Sequence, residues 1–315
     1  MKHTQFDLEI NISPKIHVNY WKCEEEIKGN IVIVHGMAEY SYRYNDFASF
    51  LAKNGYDVYG TDHIGHGMSV SKEENPKYGY GCWPKNGFDD SIERVKKLVD
   101  YIHSVSDKPV LIFGHSLGSF LTTGFYERHS KDVKAVVICG SAFNNILYRG
   151  SALITSCMKF FKSEKKRNEM SDMLNNTNIK TMNKKCKPFE DGYKTHNGWL
   201  SYDEDNVRAY DEDKELGFPC NFYFYYSMFH GQQKIWSKKA LKGLKEPKPV
   251  LLIAGKDDPV GNYGKDVPKL KKFLSRRQDN VQMKLYDNAK HEILNEGKIK
   301  DVIYKDVLDF FNNNL

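Results

Sequence analysis

The residues best suited to chemistry are Gly114-His115-Ser116-Leu117-Gly118, the only G-x-S-x-G in the chain. They follow the apolar run Val110–Phe113 and precede a helical pattern over Leu117–His129. In this strand–turn–helix setting a serine stands on a sharp, strained turn. Glycine at 114 and 118 relieves the crowding that larger side chains would cause. The Ser116 hydroxyl would then rise above the carboxyl ends of the strands, where open α/β sheets bind ligands. A serine hydroxyl is a poor nucleophile until a base takes its proton. The base is a histidine, and a carboxylate must fix its tautomer and stabilise its cation. With this turn the partners follow in the order Ser, acid, His. Downstream, the run Val250–Ala254 leads into Gly255-Lys256-Asp257-Asp258-Pro259, and His291 is the only histidine beyond Asp258. Asp257 and Asp258 compete for the acid position, and Asp258, directly before Pro259, is preferred. A tetrahedral intermediate also needs preorganised donors for its oxyanion. The Leu117 amide, opening the helix, is one. The Met37 amide is the other, in His35-Gly36-Met37, where the run Asn30–Val34 ends.

These residues need a frame. Apolar runs predict strands at Ile16–Cys23, Asn30–Gly36, Tyr56–Asp62, Val110–Ser116, Ala135–Ser141, Val250–Asp258 and Val281–Asp287. Most are continuous rather than alternating, as in strands covered on both faces. Ile16–Cys23 alternates and suits an outer antiparallel strand. Helical spacing appears over Tyr44–Asn54, over Asp89–Val105 with Asp89 or Asp90 as N-cap, over Leu117–His129, and again near the C-terminus through Val302, Ile303, Val307, Leu308 and Phe311. Strands alternating with helices predict an α/β fold, a mostly parallel sheet with helices on both faces. The rhythm breaks between about Asn144 and Lys245, a stretch too long for a structureless loop. Residues 1–143 and 246–315 therefore read as the core, and 144–245 as an inserted, mainly helical cap. Its aromatic run Phe222–Phe229 either packs on the sheet edge or lines a pocket.

Composition excludes other classes. Lys and Arg number 47 against 41 Asp and Glu, a net charge of +6 with both signs mixed along the chain. No basic stripe marks a nucleic-acid partner. No apolar stretch approaches the roughly 20 residues that span a bilayer, and MKHTQFDLEI has no apolar core of a secretory signal. The six cysteines are scattered, with no C-x-x-C pair. They read as free thiols, mostly buried, in a reducing compartment, which points to the cytoplasm.

Together these features resemble the α/β-hydrolase superfamily, and more narrowly its monoacylglycerol lipase and lysophospholipase branch. Three motifs carry the resemblance. His35-Gly36-Met37-Ala38-Glu39-Tyr40-Ser41-Tyr42-Arg43-Tyr44 is similar to H-G-x-x-E-H-S-x-R-Y. Asp62-His63-Ile64-Gly65-His66-Gly67-Met68-Ser69 is similar to D-x-x-G-H-G-x-S. Gly114–Gly118 is similar to the G-H-S-x-G elbow. The similarity runs over most of Asn30–Phe143 and returns at Val250–Glu292. It implies a serine carboxylester hydrolase working through an acyl-enzyme, with no cofactor and a small acyl ester of monoacylglycerol or lysophospholipid type as substrate. Tyr40 departs from the pattern by replacing a histidine beside the site, which bears on substrate rather than on the triad. The resemblance makes His66 part of a structural turn, and neither Cys nor Asp spacing supports a metal site.

The cap carries Lys159, Lys162, Lys165, Lys166 and Arg167, then Lys180, Lys184, Lys185 and Lys187. A solvated helical face explains them. With Leu153, Ile154, Met158, Phe160 and Phe161 between them, they also suit an amphipathic lip making transient contact with an anionic membrane surface. Two other function classes stay open. The triad does not distinguish esters from amides, so an amidase or small peptidase is one, with Asp203, Glu204 and Asp205 available for a substrate amine. A non-catalytic binding module is the other, although such proteins usually lose a triad member.

Overall fold

The computed structural model describes residues 2–8, 14–70, 79–144, 146–158 and 163–315. Eight strands form one sheet: β1 (Lys2–Leu8), β2 (Ile16–Lys22), β3 (Gly29–Val34), β4 (Tyr56–Thr61), β5 (Val110–His115), β6 (Ala135–Cys139), β7 (Val250–Gly255) and β8 (Val281–Tyr286). Their spatial order is β1-β2-β4-β3-β5-β6-β7-β8. The first two pairings, β1 with β2 and β2 with β4, are antiparallel, and every later neighbour is parallel. The strands β3 to β7, read as continuous apolar runs, are buried along their whole length. Edge strand β8 alternates buried and exposed residues, as one covered face requires.

Helices cover both faces: α1 (Asn45–Lys53), α2 (Gly87–Val105), α3 (Leu117–His129), α4 (Ile146–Met158), α5 (Glu164–Met182), α6 (Glu204–Glu212), α7 (Phe222–Ile235), α8 (Lys238–Gly243), α9 (Val267–Leu274) and α10 (Lys300–Asn312). One core layer joins α2, α3 and α9 to one face, and the other joins α1 and α10 to the opposite face. The stripe read over Asp89–Val105 is this packing: Ile92, Val95, Leu98, Val99 and Ile102 are each at most 1% exposed.

Three expectations are corrected. Ile16–Cys23 is not the outer strand, because β1 pairs alongside it over seven residues and buries almost all of β2. The N-cap of α2 is Asn86, not Asp89 or Asp90. Both acids sit in the first turn, where negative charge still suits the helix dipole, and Asp89 accepts from Arg128 and Lys234, each at 2.6 Å. Cys157 is exposed; Cys23, Cys139 and Cys220 are buried, and all six cysteines are free.

Between β6 and β7 the described residues hold five α-helices, one short 3-10 helix and no strand. The aromatic run begins α7, with the Asn221 side chain accepting from the Phe224 amide at 2.8 Å as its N-cap. Phe222, Phe224, Tyr225, Met228 and Phe229 are buried. Of these, all but Phe222 join the main core, with the Phe224 ring tilted against Trp83 at 4.3 Å between centroids. A smaller cluster of Phe189, Leu200, Val207, Tyr210 and Leu216 packs separately around α6.

Candidate active site

Ser116 sits between β5 and α3 with φ +53° and ψ −118°, a left-handed conformation costly for a residue with a side chain. Its amide donates to the Cys139 carbonyl at 3.0 Å, so the end of β6 holds the turn. A Cβ at Gly114 would strike Thr122 and the Gly118 backbone, and one at Gly118 would overlap the Val34 carbonyl. The two glycines therefore let α3 descend against β3. Leu117 is the first residue of α3, so its amide lies outside the intrahelical ladder. Across from it, a Cβ added to Gly36 would lie 3.2 Å from Ser116 Cβ, which brings the loop of Met37 beside the serine. Ala38 turns that loop with φ +55°, and its carbonyl accepts from the Gly217 amide at 2.9 Å and the Tyr210 hydroxyl at 3.2 Å.

His291 and Asp258 meet. His291 Nδ1 lies 3.0 Å from Asp258 Oδ1, with the two residues 2% and 0% exposed. A carboxylate at Nδ1 places the ring proton there and leaves Nε2 its lone pair. Asp258 Oδ1 also accepts from the Val260 amide at 2.8 Å, in the turn that Pro259 begins. Asp257 is half-exposed and accepts instead from the Tyr202 hydroxyl at 3.0 Å. Gly140 lies against both rings, those of His291 and His115: a Cβ added there would lie 3.2 Å from His291 Cε1 and 3.2 Å from His115 Nε2.

Behind these residues lies a buried ionic cluster that sequence reasoning did not assign. Arg43 donates to Glu39 at 2.7 Å and to both oxygens of Glu292 at 2.7 and 2.9 Å. It thereby ties the loop of Met37 to the residue following His291. Glu39 reaches back to the Gly36 amide. Burial alone would push the Glu39 carboxyl up, but hydrogen bonding to His115 and the Arg43 charge hold it well below the usual range. Arg43 likewise overcomes the effect of burial on Glu292 and lowers it. Tyr44 donates to Glu39 at 2.8 Å, so its oxygen is left to accept from His115 Nδ1 at 2.9 Å. His115 Nε2 faces the His291 carbonyl at 3.1 Å. An acceptor at each nitrogen favours the doubly protonated ring. Burial opposes that charge, Glu39 outweighs it, and the pKa rises. The available signal was Glu39, Arg43 and Tyr44 recurring inside one motif; no pattern announced Glu292 as their partner.

A family model described as serine aminopeptidase, S33, matches residues 25–298. The chain belongs to that family. Among individual relatives, a monoacylglycerol lipase from Mycolicibacterium smegmatis is 28% identical over 133 residues, covering 41% of this chain and 44% of that protein. A monoglyceride lipase homolog from Monkeypox virus is 30% identical over 34% of this chain and 36% of its own length. The chain thus spans less than half the length of these relatives. In fold it superposes on a thermostable carboxyl esterase from Bacillus coagulans with TM-score 0.87 at 23% identity, covering 100% of this chain and 99% of that one. It also superposes on a monoglyceride lipase from Saccharomyces cerevisiae with TM-score 0.74 at 15% identity, covering 100% and 95%. The chain therefore has the α/β-hydrolase fold.

Other motif residues of this S33 family member are structural. Asp62 accepts from the Ser41 amide and hydroxyl at 2.9 and 2.6 Å and from the Met68 amide at 2.9 Å, lacing two motif loops together. Tyr40, at the departure from the pattern, donates to Asp213 at 2.6 Å. His35, His63 and His66 cluster in the interior, with the first two ring centroids 3.9 Å apart. Among the described residues, no group of three or more His, Cys, Asp or Glu could hold a metal ion. Burial lowers His35, lowers His63 well below its ordinary value and lowers His66 to about 3. The folded chain therefore keeps three histidines neutral where the unfolded chain binds protons below pH 6.5. His115 does the reverse: its contribution is present below pH 6.5 and lost as pH rises through its elevated folded value. Through these four histidines, stability should fall as pH drops below 6.5 and fall again as pH rises through the His115 value. On the acid side each of the three histidines removes about 1.4 kcal/mol per pH unit until its folded value is reached. Urea unfolding at pH 5.5, 6.5 and 8 tests this, and stability that increased from pH 6.5 to 5.5 would contradict it.

Proposed function

We propose that the chain is a serine carboxylester hydrolase acting on single-chain acyl esters of the monoacylglycerol or lysophospholipid type. The observation that carries this reading is the buried His291–Asp258 pair at 3.0 Å, whose histidine ring packs 4.7 Å from that of His115, the residue before Ser116. In the proposed mechanism Ser116 Oγ attacks the ester carbonyl while His291 Nε2 takes the hydroxyl proton. Asp258 keeps that proton acceptance at Nε2 and stabilises the imidazolium. The Met37 and Leu117 amides receive the oxyanion. The tetrahedral intermediate collapses, and His291 returns its proton to the departing alcohol. Water, deprotonated by His291, then attacks the acyl-Ser116 carbonyl; the acid leaves and Ser116 regains its proton. These groups complete the chemistry without a cofactor.

The lipases among the relatives support an ester substrate. The family description itself favours a second reading, an aminopeptidase. That reading needs acids free to bind a substrate amine, and two of the three cap acids are used elsewhere: Asp203 caps α6 by accepting from the Asn206 amide at 3.1 Å and Glu204 pairs with Arg208 at 3.7 Å, while Asp205 is exposed.

The proposal takes 144–245 as the cap, docked through α7. It includes transient contact with an anionic membrane surface, supported by Leu153 and Ile154, 67% and 49% exposed on α4, and by the exposed Lys165 and Lys180 on α5. Lys159, Phe160, Phe161 and Lys162 lie outside the described residues. Among the described residues no helix is long and apolar enough to cross a membrane. A cytoplasmic setting belongs to the same proposal, supported by the free thiols. The test is a substrate panel of monoacylglycerols, lysophospholipids and aminoacyl amides, with the lipids presented in anionic or neutral vesicles. Single-chain esters should exceed amides in kcat/KM by at least about tenfold, and turnover should be faster on anionic vesicles. Faster turnover of the amides would overturn the ester assignment, and indifference to vesicle charge would remove the membrane contact.

A further inference from the structure

The segment Gly198–Asp203 of the cap is strapped to the loop that carries His291. Lys290 Nζ donates to the carbonyls of Gly198 and Ser201 at 2.7 and 3.0 Å and lies 4.2 Å from the centre of the Tyr202 ring. On the other side of His291, the Glu292 amide donates to the Leu200 carbonyl at 2.7 Å. The buried Glu296 accepts from the Ser201 hydroxyl at 2.9 Å, the Tyr202 amide at 3.0 Å and the Lys290 amide at 2.8 Å. The residues before and after His291 thus grip the strap on both sides of Trp199. The indole sits against the imidazole, with centroids 5.0 Å apart and planes 36° apart. Its Nε1 is buried and has no hydrogen-bond acceptor in the protein. An indole N–H only donates, and burying one unpaired is costly, so a hydrogen bond does not explain the tryptophan. The indole packs against the cluster around α6 and also meets the His291 ring.

We infer that Trp199 is a positioning residue for acyl transfer: its π face holds the His291 ring against Asp258 and attracts the positive charge that ring acquires on taking the Ser116 proton. The inference rests on the reading of His291 as the general base. A cation within about 6 Å of an indole face is attracted to it. The charge is absent from the ground state, so the attraction favours the transition state over the bound substrate. Other charged and titratable groups stand near His291. Asp258 favours the imidazolium from the turn after β7. His115, its ring 4.7 Å away on the elbow, opposes it. Lys290 turns its ammonium to the strap carbonyls, and Glu292 is paired with Arg43. Trp199 therefore adds an attraction that comes from the cap rather than from the sheet.

The test compares Trp199→Leu and Trp199→Met with Trp199→Phe, following the pH–rate profile on p-nitrophenyl esters and the NMR titration of the His291 ring in the free protein. The non-aromatic variants should lose about three- to fivefold in kcat with KM unchanged. Their acid limb and the His291 titration should move about half a pH unit lower. Trp199→Phe should stay within about twofold of wild type with no displacement. Equal losses in all three variants with an unmoved titration, or no loss in any, would overturn the inference. The two non-aromatic variants guard against one failing to fold. The NMR titration needs no substrate, so an inactive wild type would count against the ester-hydrolase reading and not against this one.

Discussion

Asp258→Asn should lower kcat for p-nitrophenyl esters by about 10⁴ while leaving the fold intact. The neighbouring Asp257→Asn should change it by no more than about threefold. Asp258 is fully buried and accepts from His291 Nδ1 at 3.0 Å. An asparagine fits the same space, but its amide can offer N–H to Nδ1 and so move the ring proton to Nε2. The base then has no lone pair for Ser116. Asp257 meets only the edge of this machinery: it is half-exposed and its carboxylate is taken by the Tyr202 hydroxyl at 3.0 Å. Steady-state kinetics on both variants, with a circular-dichroism melt to check folding, separates them. A large loss in Asp257→Asn with a small one in Asp258→Asn would exchange the two roles.

How far the site can be read from sequence depends on the length scale of each cause. The elbow was legible because its cause is local. Gly114, Ser116 and Gly118 lie within five residues, and the collisions that demand glycine involve the next helix and the adjoining strand. Strands β3 to β7 were legible because burial on both faces leaves an unbroken apolar run. β1 was not, since Lys2–Leu8 is polar, with only Leu8 buried; the partner that makes it a strand is β2. The short α9 also escaped, because eight residues in a lysine-rich stretch show its face only once Leu270, Phe273 and Leu274 are packed. The aromatic run of α7 was visible, but its destination was not. A helix apolar on most sides signals burial without naming what buries it.

The same division holds in the site. His291 followed from chain order, since no other histidine lies beyond Asp258. The link from Arg43 to Glu292 joins residues 249 positions apart, and the contact of Trp199 with His291 joins the stretch between β6 and β7 to the loop after β8. Neither leaves a spacing pattern. Both depend on how separate elements meet, which is why the residues around the proposed triad were less legible than its members.

Ser116→Ala is the second decisive variant. It removes the one hydroxyl that can carry the acyl group, and turnover should fall by about 10⁴- to 10⁶-fold. Alanine occupies the same strained backbone as serine, so the turn and the fold should persist. Residual rate would come from the remaining amides and from substrate binding alone. The central claim, that Ser116 is an activated nucleophile, is tested most directly by the intact mass of the protein after reaction with a fluorophosphonate, with the modified peptide sequenced. One adduct, located on Ser116 in wild type and absent from Ser116→Ala, is the predicted result. A folded wild type that takes up no adduct, or carries it on another residue, would contradict the account.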